Sequence, residues 1–303
     1  MTRKKIAFVG FTYDYEHMDI DSLKLDYEIY SFYIPNRVNF FLSKILFYKP
    51  IYFKFVDIYI SLCFLMAGNN FNLIITKDNL DYLPSLIKRQ EKKILLFRNL
   101  YKGCFAKYLK HFDVYTFDLE DSESYGFRYY EQYASGVDYI LSSEFDEKYD
   151  VAFVGQDKGR EKLLFEMQSN MPDIGFDFYI VKKRALFLKV LCNIFPFMND
   201  SLSYKEYLHR QLGAKVVLDL VQKNQSGVTM RFIEAIAAGK KIITNNSFAL
   251  THSLYNSNVY IISEPLDFNE LHKFISADVS ATDYLQTKKY SGRYILEKII
   301  NEQ

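Results

Sequence analysis

Two segments in the second half of the chain combine glycine and basic side chains with a preceding apolar run. The first is GQDKGR at 155–160, which directly follows VAFV. Gly155 allows the backbone to turn tightly or to approach a ligand, and Lys158 and Arg160 place positive charge where a helix is predicted to begin. Because cations oppose the dipole at a helix N-terminus, their placement there favours a site for an anion. Two solvated charges in a surface loop are the alternative.

The second segment is QSGVTMRFIEAIAAGKKIIT at 225–244, a glycine-containing loop that leads into a predicted helix. Gly227 has no Cβ to obstruct a phosphate, Thr229 is placed as an N-cap or hydroxyl donor, and Arg231 carries a guanidinium that suits phosphate oxygens. Glu234 supplies a carboxylate that can accept two ribose hydroxyls. The helix N-terminus strengthens the preference for an anion. An ordinary helix with surface charges is the alternative interpretation.

Other nucleotide and catalytic fingerprints are absent from the sequence. GQDKGR departs from G-x-G-x-x-G, which disfavours NAD and FAD, and there is no G-x-x-x-x-G-K-[ST], G-x-S-x-G or H-E-x-x-H. The cysteines Cys63, Cys104 and Cys192 are far apart and form no CxxC or Cys/His cluster. Neither a disulfide framework nor a structural zinc site is therefore expected.

Composition narrows the class of protein further. The 303 residues carry 38 Lys and Arg against 37 Asp and Glu, a net charge of +1 that disfavours a nucleic-acid partner. The longest clean apolar stretch, 58–68, is too short to span a bilayer, and the N-terminal MTRKKIAFVGF is expected to form a strand rather than a signal peptide. We expect a cytoplasmic protein, soluble or peripheral on the inner face of the plasma membrane. Tyr and Phe make up 17% of the chain. Codon bias and an interfacial surface are two alternative explanations for this high aromatic content.

Short apolar runs alternate with helical segments along the chain, a pattern typical of parallel sheets in α/β proteins. Helices are predicted at 79–92, 203–211 and 230–238, and Gly239 is expected to end the last of them. Buried strands are predicted at 6–10, 73–76, 94–97, 114–117, 151–155, 176–181, 215–220, 241–244 and 259–262.

The run VAFVG at 151–155 closely repeats IAFVG at 6–10, after an acidic, linker-like segment at 142–150. This restart predicts an α/β fold of two Rossmann-like domains facing a cleft. The predicted first domain is 1–145 and the second is 146–285. A C-terminal helix is predicted at 286–303, and packing against the first domain is one arrangement open to it.

Several segments, in the same order along the chain, resemble the bacterial GT-B glycosyltransferases of the capsular or lipopolysaccharide biosynthesis group. They are VYTFDLEDSESYGFRYYEQY at 114–133, YDVAFVGQDKGR at 149–160, SYKEYL at 203–208 and VVLDLVQKNQSGVTMRFIEAIAAGKKIITNN at 216–246. The first 110 residues resemble this group only loosely.

The resemblance implies that the second domain binds the nucleotide of a nucleotide-sugar donor. Lys158 and Arg160 would then face the diphosphate, the residues from Gly227 to Arg231 would lie against the phosphates, and Glu234 would hold the ribose. In the better-known retaining GT-B families a second Glu, eight residues before the ribose-binding one, contacts the donor sugar, and this chain has Ser226 at that position. The donor sugar and the choice between retention and inversion stay open. No metal or other cofactor is expected.

In an inverting enzyme of this kind, an acidic or histidine side chain of the first domain would take the acceptor proton. The loop after the first strand offers Asp14 and His17, and the segment FDLED offers Asp118. Solvated acidic loops are the alternative. The D-x-D at 19–21 matches a metal-binding motif of the unrelated GT-A class, but its place near the N-terminus favours solvated loop acids.

The resemblance implies an acceptor that is a cell-surface glycan of a capsule, a lipopolysaccharide or a lipid-linked oligosaccharide. A nucleotide-sugar epimerase on the same frame and a non-catalytic scaffold in a polysaccharide assembly complex are the alternatives. The segments 40–56 and 182–197 mix basic with aromatic and aliphatic residues. They would suit peripheral contact with an anionic membrane, or they are ordinary helices with lysines lying over the core.

Overall fold

The computed structural model describes residues 3–46, 48–181, 202–221, 227–280 and 284–303. The chain divides into two compact units, Met1–Glu131 with Arg293–Gln303, and Gln132–Gly292. The predicted boundary at 145 falls inside the second unit. The predicted basic segment at 182–197 lies outside the described residues.

The first unit is an α/β sheet of six parallel strands. Its strands are β1 (Lys5–Val9), β2 (Glu28–Phe32), β3 (Leu73–Lys77), β4 (Lys93–Leu96), β5 (Asp113–Thr116) and β6 (Arg128–Tyr129). Its helices are α1 (Asp14–Ser22), α2 (Asn36–Ile45), α3 (Lys49–Met66), α4 (Leu83–Leu86), α5 (Ala106–Leu109) and α6 (Leu119–Tyr125). The strand order is β2-β1-β3-β4-β5-β6.

Burial explains why the strands of this sheet are continuous apolar runs. A parallel sheet is covered on both faces, so β1 and β3 are buried along nearly their whole length. After β1 the chain turns at Gly10, which has φ +82°. A Cβ there would lie 2.7 Å from the ring of the buried Tyr82, so the turn needs glycine for both conformation and space.

The predicted helix at 79–92 is wrong in extent, because only α4 is helical there. Pro84 has no N–H to donate, and its ring clashes with the carbonyl four residues earlier. A helix therefore cannot run through this position from residue 79, and α4 begins just before the proline.

The second unit contains five parallel strands. They are β7 (Tyr149–Gln156), β8 (Phe176–Val181), β9 (Ala214–Asp219), β10 (Lys241–Thr244) and β11 (Val259–Ile261). The helices among its described residues are α7 (Val137–Leu141), α8 (Glu161–Asn170), α9 (Tyr204–Leu212), α10 (Met230–Ala237) and α11 (Phe268–Ser276). The strand order is β8-β7-β9-β10-β11, which confirms the predicted fold of two parallel-sheet α/β domains.

The final helix, α12 (Gly292–Asn301), is shorter than the predicted 286–303 and follows a 3-10 segment, Tyr284–Tyr290. From Arg293 onward the chain belongs to the first unit. Arg293 Nη2 donates to Asp26 Oδ2 at 2.6 Å, and the hydroxyl of Tyr27 donates to Asn301 Oδ1 at 3.3 Å.

The order of strands defines one special position in each sheet. In the first unit β1 lies between β2 and β3, and in the second unit β7 lies between β8 and β9. The strand order therefore reverses between β1 and β3 in the first sheet and between β7 and β9 in the second. Open parallel sheets bind ligands beyond the carboxyl ends of their strands at such a topological switch point. The switch points are therefore where sites are expected.

Candidate functional site

A cavity of about 280 Å³ lies at the switch point of the second unit, beyond the ends of β7 and β9. It is lined by Gly155, Gln156, Lys158, Arg160, Tyr207, Asp219, Leu220, Val221, Thr229 and Arg231. The fold thus brings together most of the residues predicted from the two basic segments. Three cationic side chains and one carboxylate line the cavity, which gives it a preference for anions.

The loop from β7 to α8 supplies two of these cations. Lys158, at φ +43°, is exposed, and the following Gly159 has φ +85°. Arg160 Nη1 donates to the carbonyl of Gln156 at 3.2 Å, and Nε is buried with no partner among the described residues. Burial and the neighbouring charge of Arg231 lower the pKa of the Arg160 guanidinium. The two like charges gain stability when an anion lies between them.

Arg231, in the first turn of α10, is held from three sides. Nη2 donates to the carbonyl of Val154 at 2.7 Å, and Nε donates to Gln211 Oε1 at 2.9 Å. Nη1 lies 3.7 Å from Asp219 Oδ1. These contacts fix the plane of the guanidinium before a ligand arrives, which lowers the entropic cost of binding.

This arrangement requires glycine at position 155 because there is no room for a side chain, and not because of the backbone conformation. A Cβ at Gly155 would lie 3.2 Å from Arg231 Nη2 and 3.3 Å from the ring of Phe153. The end of β7 can approach the guanidinium closely only because this residue has no side chain.

Asp219 is a site residue that the sequence reasoning missed. It ends β9, is almost fully buried, and its Oδ1 accepts from the Thr229 hydroxyl at 2.8 Å. Burial raises the pKa of the Asp219 carboxyl, while Arg231 and the hydroxyl oppose that rise. The available signal was an acidic residue at the end of an apolar run, VVLD, which is the ligand-facing end of a parallel strand.

Thr229 joins the end of β9 to the start of α10, because it donates to Asp219 and, as the N-cap of α10, accepts from the backbone N–H of Phe232 at 3.0 Å. Gly227 has φ +75°, and its carbonyl accepts from Asn246 Nδ2 at 2.8 Å. The loop therefore needs glycine at this position to enter the left-handed region. Ser226 lies outside the described residues.

Glu234 lies next to the cavity but does not line it. Its carboxylate is buried and accepts from the hydroxyls of Tyr204 at 2.5 Å and Tyr207 at 2.8 Å. Burial raises the pKa of the Glu234 carboxyl. Tyr207 does line the cavity, so this tyrosine links Glu234 to any ligand bound there. The tyrosine pair was also missed, because α9 is distant from α10 in the sequence.

The acceptor-side candidates belong to the first unit, and two of them are on a helix rather than in the predicted loop. Asp14 and His17 lie in α1, which begins early because Glu16 Oε2 accepts from the backbone N–H groups of Thr12 at 2.8 Å and Tyr13 at 3.0 Å. Asp14 is exposed, and an acidic residue in the first turn is favoured by the helix dipole.

His17 is partly buried beside the ring of Tyr33, at 4.7 Å between centroids, and its Nε2 has no hydrogen-bond partner in the described structure. Asp118 is buried and caps α6, accepting from the backbone N–H of Asp121 at 2.9 Å. Asp19, interpreted from the sequence as a solvated loop acid, is instead helical and buried. Across the described residues, no group of three or more His, Cys, Asp or Glu side chains is arranged to hold a metal ion.

Solved structures with the same fold are GT-B glycosyltransferases and related nucleotide-sugar enzymes, so the chain has the GT-B fold. One is AviGT4, a glycosyltransferase involved in avilamycin A biosynthesis, with a TM-score of 0.56 at 9% identity, covering 99% of this chain and 96% of that one. Another is an alpha-glucosyltransferase in complex with UDP and a 13-mer DNA containing a HMU base, with a TM-score of 0.57 at 11% identity, covering 100% and 99%.

A third is a UDP-N-acetylglucosamine 2-epimerase from Rickettsia bellii, with a TM-score of 0.51 at 11% identity, covering 99% of this chain and 96% of that one. By sequence, the chain matches no protein-family model and none of the curated proteins. The structural matches support the fold, but they do not show that the chain belongs to the capsular or lipopolysaccharide group.

Proposed function

We propose that the protein transfers a glycosyl group from a nucleotide-sugar donor to a cell-surface glycan. The observation that carries this proposal is the cationic cavity at the switch point of the second unit, in a chain with the GT-B fold. A nucleoside diphosphate has the charge for this site, and Lys158, Arg160 and Arg231 present the donors that phosphate oxygens accept.

In this proposal the three cations stabilise the diphosphate as it departs from the sugar. Charge builds up on the leaving phosphate oxygens in the transition state, and donors that are already oriented stabilise it without reorganisation. Arg231 is oriented by Val154, Gln211 and Asp219. The ribose would lie beside Tyr207. The Tyr207 hydroxyl donates a hydrogen bond to Glu234, so Glu234 would hold the tyrosine in place rather than contact the ribose.

On the acceptor side, we propose His17 as the first candidate for the base and Asp14 as the second. The Nε2 of His17 has no hydrogen-bond partner among the described residues but is buried, so it would have to become accessible to take the proton of an acceptor hydroxyl. Asp118 is a weaker candidate, because its carboxylate caps α6. The acceptor proposed from the sequence motifs is a glycan of a capsule, a lipopolysaccharide or a lipid-linked oligosaccharide, met at the cytoplasmic side of the membrane.

A second candidate function is epimerisation of a nucleotide sugar. The fold match to a UDP-N-acetylglucosamine 2-epimerase favours it, since both reactions begin with the same class of ligand. Incubation with donor alone separates the two, because an epimerase changes the donor without an acceptor, whereas a transferase requires one.

Nucleotide binding is the first test of the proposal. Purified protein is heated with UDP, GDP, dTDP or CMP, and the unfolding temperature is recorded for each. A ligand at a hundredfold above its Kd adds about 2.7 kcal/mol to the free energy of unfolding, so one base is expected to raise the temperature clearly. A flat response to all four would remove the proposal and favour a non-catalytic scaffold.

The binding measurement is then repeated with EDTA. Because cationic side chains already surround the cavity, we expect the affinity for the nucleotide to stay the same within about twofold, well under one kcal/mol. A loss that Mg²⁺ or Mn²⁺ restores would contradict the proposed metal-independent site.

A further inference from the structure

Helix α3 presents apolar side chains to solvent along most of its length. These side chains recur every three or four residues and are 39% to 62% exposed: Ile51, Phe55, Ile58, Leu62 and Leu65. We call them the outer stripe. At 3.6 residues per turn they fall within an arc of about 80°. The opposite face packs on the core of the first unit through Tyr52, Val56, Ile60 and Phe64. The core therefore accounts for one face of α3, and the other face has no partner within the described chain.

The preceding helix, α2, contacts the core-facing side of α3, where the hydroxyl of Tyr52 donates to Asn39 Oδ1 at 2.6 Å. Its last residue, Ile45, is a further exposed apolar side chain, at 69%. A row of exposed apolar side chains such as the outer stripe is typical of an interaction site rather than of a solvated face.

The charges near the start of the outer stripe are predominantly positive, and the one acidic residue of α3 is Asp57, between Phe55 and Ile58. The sequence contains no Asp or Glu between Glu28 and Asp57, but it contains four cations there, Arg37, Lys44, Lys49 and Lys54, all of them exposed. This local excess contrasts with the net charge of +1 for the whole chain. Lys49 begins α3, where a cation opposes the helix dipole, and no acidic residue in the first turn offsets it. An anionic partner would remove this local cost.

We propose that the outer stripe and these four cations dock the first unit on an anionic lipid bilayer. The helix would lie in the plane of the interface, with its apolar side chains at the boundary between headgroups and acyl chains and its lysines among the phosphates. No helix in the described ranges is long and apolar enough to cross a membrane.

A second copy of the chain is the competing occupant of this surface. The stripe has heptad spacing, but it covers about two heptads where a coiled coil needs about three or four. Pairing would also bring the lysine-rich surfaces of two copies together, and like charges at such an interface are unfavourable. The charge therefore favours lipid.

Binding of the full-length protein to vesicles tests the proposal. Vesicles of phosphatidylcholine alone are compared with vesicles containing equal amounts of phosphatidylglycerol, and bound protein is separated by flotation. We expect binding to the anionic vesicles and little binding to the neutral ones. Raising the salt concentration should weaken the binding, because the lysine contribution is screened.

Two leucines of equal exposure give a matched pair of variants. Leu62 in the outer stripe and Leu250 in the second unit are both 51% exposed. Leu62→Glu is expected to reduce partitioning at least tenfold, and Leu250→Glu is expected to leave it unchanged. Each of Lys44→Glu, Lys49→Glu and Lys54→Glu should cost about fivefold or more on anionic vesicles. Equal thermal unfolding of the variants shows that they are folded.

The proposal is overturned if the wild-type protein does not bind anionic vesicles, or if the Leu62→Glu variant binds them as well as the wild type does. It is also overturned if sedimentation shows a dimer that Leu62→Glu dissociates while neither protein binds lipid. This lipid-binding surface rests on the proposed function, because it assigns a partner to the acceptor-side unit. The vesicle experiment measures lipid binding alone. A negative result there would therefore not affect the outcome of the nucleotide-binding test.

Discussion

The two units have the same reversal of strand order, but they use it differently. In the first unit, the last residue of β3, Lys77, places its Nζ 2.6 Å from Glu16 Oε1, and both side chains are buried. The switch point there is occupied by an ion pair from the unit itself. In the second unit, the corresponding position holds a cavity with an excess of positive charge.

The balance of charge explains the difference between the two switch points. Glu16 neutralises Lys77 and also accepts two backbone N–H groups, so the arrangement is complete without a ligand. In the second unit, Lys158, Arg160 and Arg231 face one carboxylate, Asp219, whose pKa is raised by burial. The same reversal of strand order thus holds a neutralised ion pair in the first unit and a cavity with an excess of positive charge in the second.

The largest expected effect comes from breaking the ion pair of the first unit. Lys77→Met would leave Glu16 buried without its counter-ion, which typically destabilises a protein by about 3–5 kcal/mol. Urea unfolding should show this loss. A double variant that combines Lys77→Met with Glu16→Gln should recover most of the stability, because no unpaired buried charge then remains. Nucleotide affinity should not change, and a large change would mean that the two switch points do not act separately.

A smaller effect is expected at the second switch point, on binding rather than on stability. Arg160→Gln removes a cation whose Nε lacks a partner, so the nucleotide should lose roughly tenfold to a hundredfold in affinity, as charged hydrogen bonds do. Calorimetric titration measures the loss. Lys162→Gln, an exposed change one residue into α8, is the matched control and should bind as the wild type does. Equal affinities for the two variants would remove Arg160 from the site.

Gly155→Ala tests whether the close approach of β7 orients Arg231. The new Cβ would lie 3.2 Å from Arg231 Nη2, so the guanidinium must shift, and we expect a loss of about fivefold in nucleotide affinity, roughly 1 kcal/mol. The control is Gly103→Ala in the first unit, where nothing lies within 4 Å of the added atom. The prediction fails if the alanine at 155 leaves affinity unaltered.

The smallest effect is on the dependence of stability on pH. Burial raises the pKa of Glu234 above its ordinary value near 4.5, so the native state holds this proton more tightly than the unfolded chain does. The carboxyl therefore favours the native state most at low pH. This contribution is lost as the pH rises through the native pKa, by about 1.4 kcal/mol per pKa unit.

Glu234→Gln removes that titration. As the pH rises above about 4.5, the unfolding temperature of the variant should fall less steeply than that of the wild type. Identical slopes for the two proteins would show that the pKa of Glu234 does not differ between the native and unfolded states.

Local sequence determined the parallel strands and several helix boundaries of this protein. Apolar runs such as 6–10 and 151–155 predict strands because a parallel sheet is buried on both faces. Thr229 caps α10, and Gly239, with φ +66°, ends it, because capping depends on a few adjacent residues. Where a local rule was overlooked, as at Pro84, the helix prediction was wrong.

The basic residues of the site were also visible in the sequence, because Lys158, Arg160 and Arg231 lie in two short glycine-containing segments. Only the tertiary structure decided what surrounds them. Gln211 and Tyr207 come from α9, and Asp219 comes from the end of β9, so their contacts depend on long-range packing. The same holds for Glu16 and Lys77, which are distant in the sequence and pair because β1 and β3 are neighbours. Residue types therefore indicated which chemistry was available, and strand order decided which charges were neutralised within the fold and which surround a cavity with an excess of positive charge.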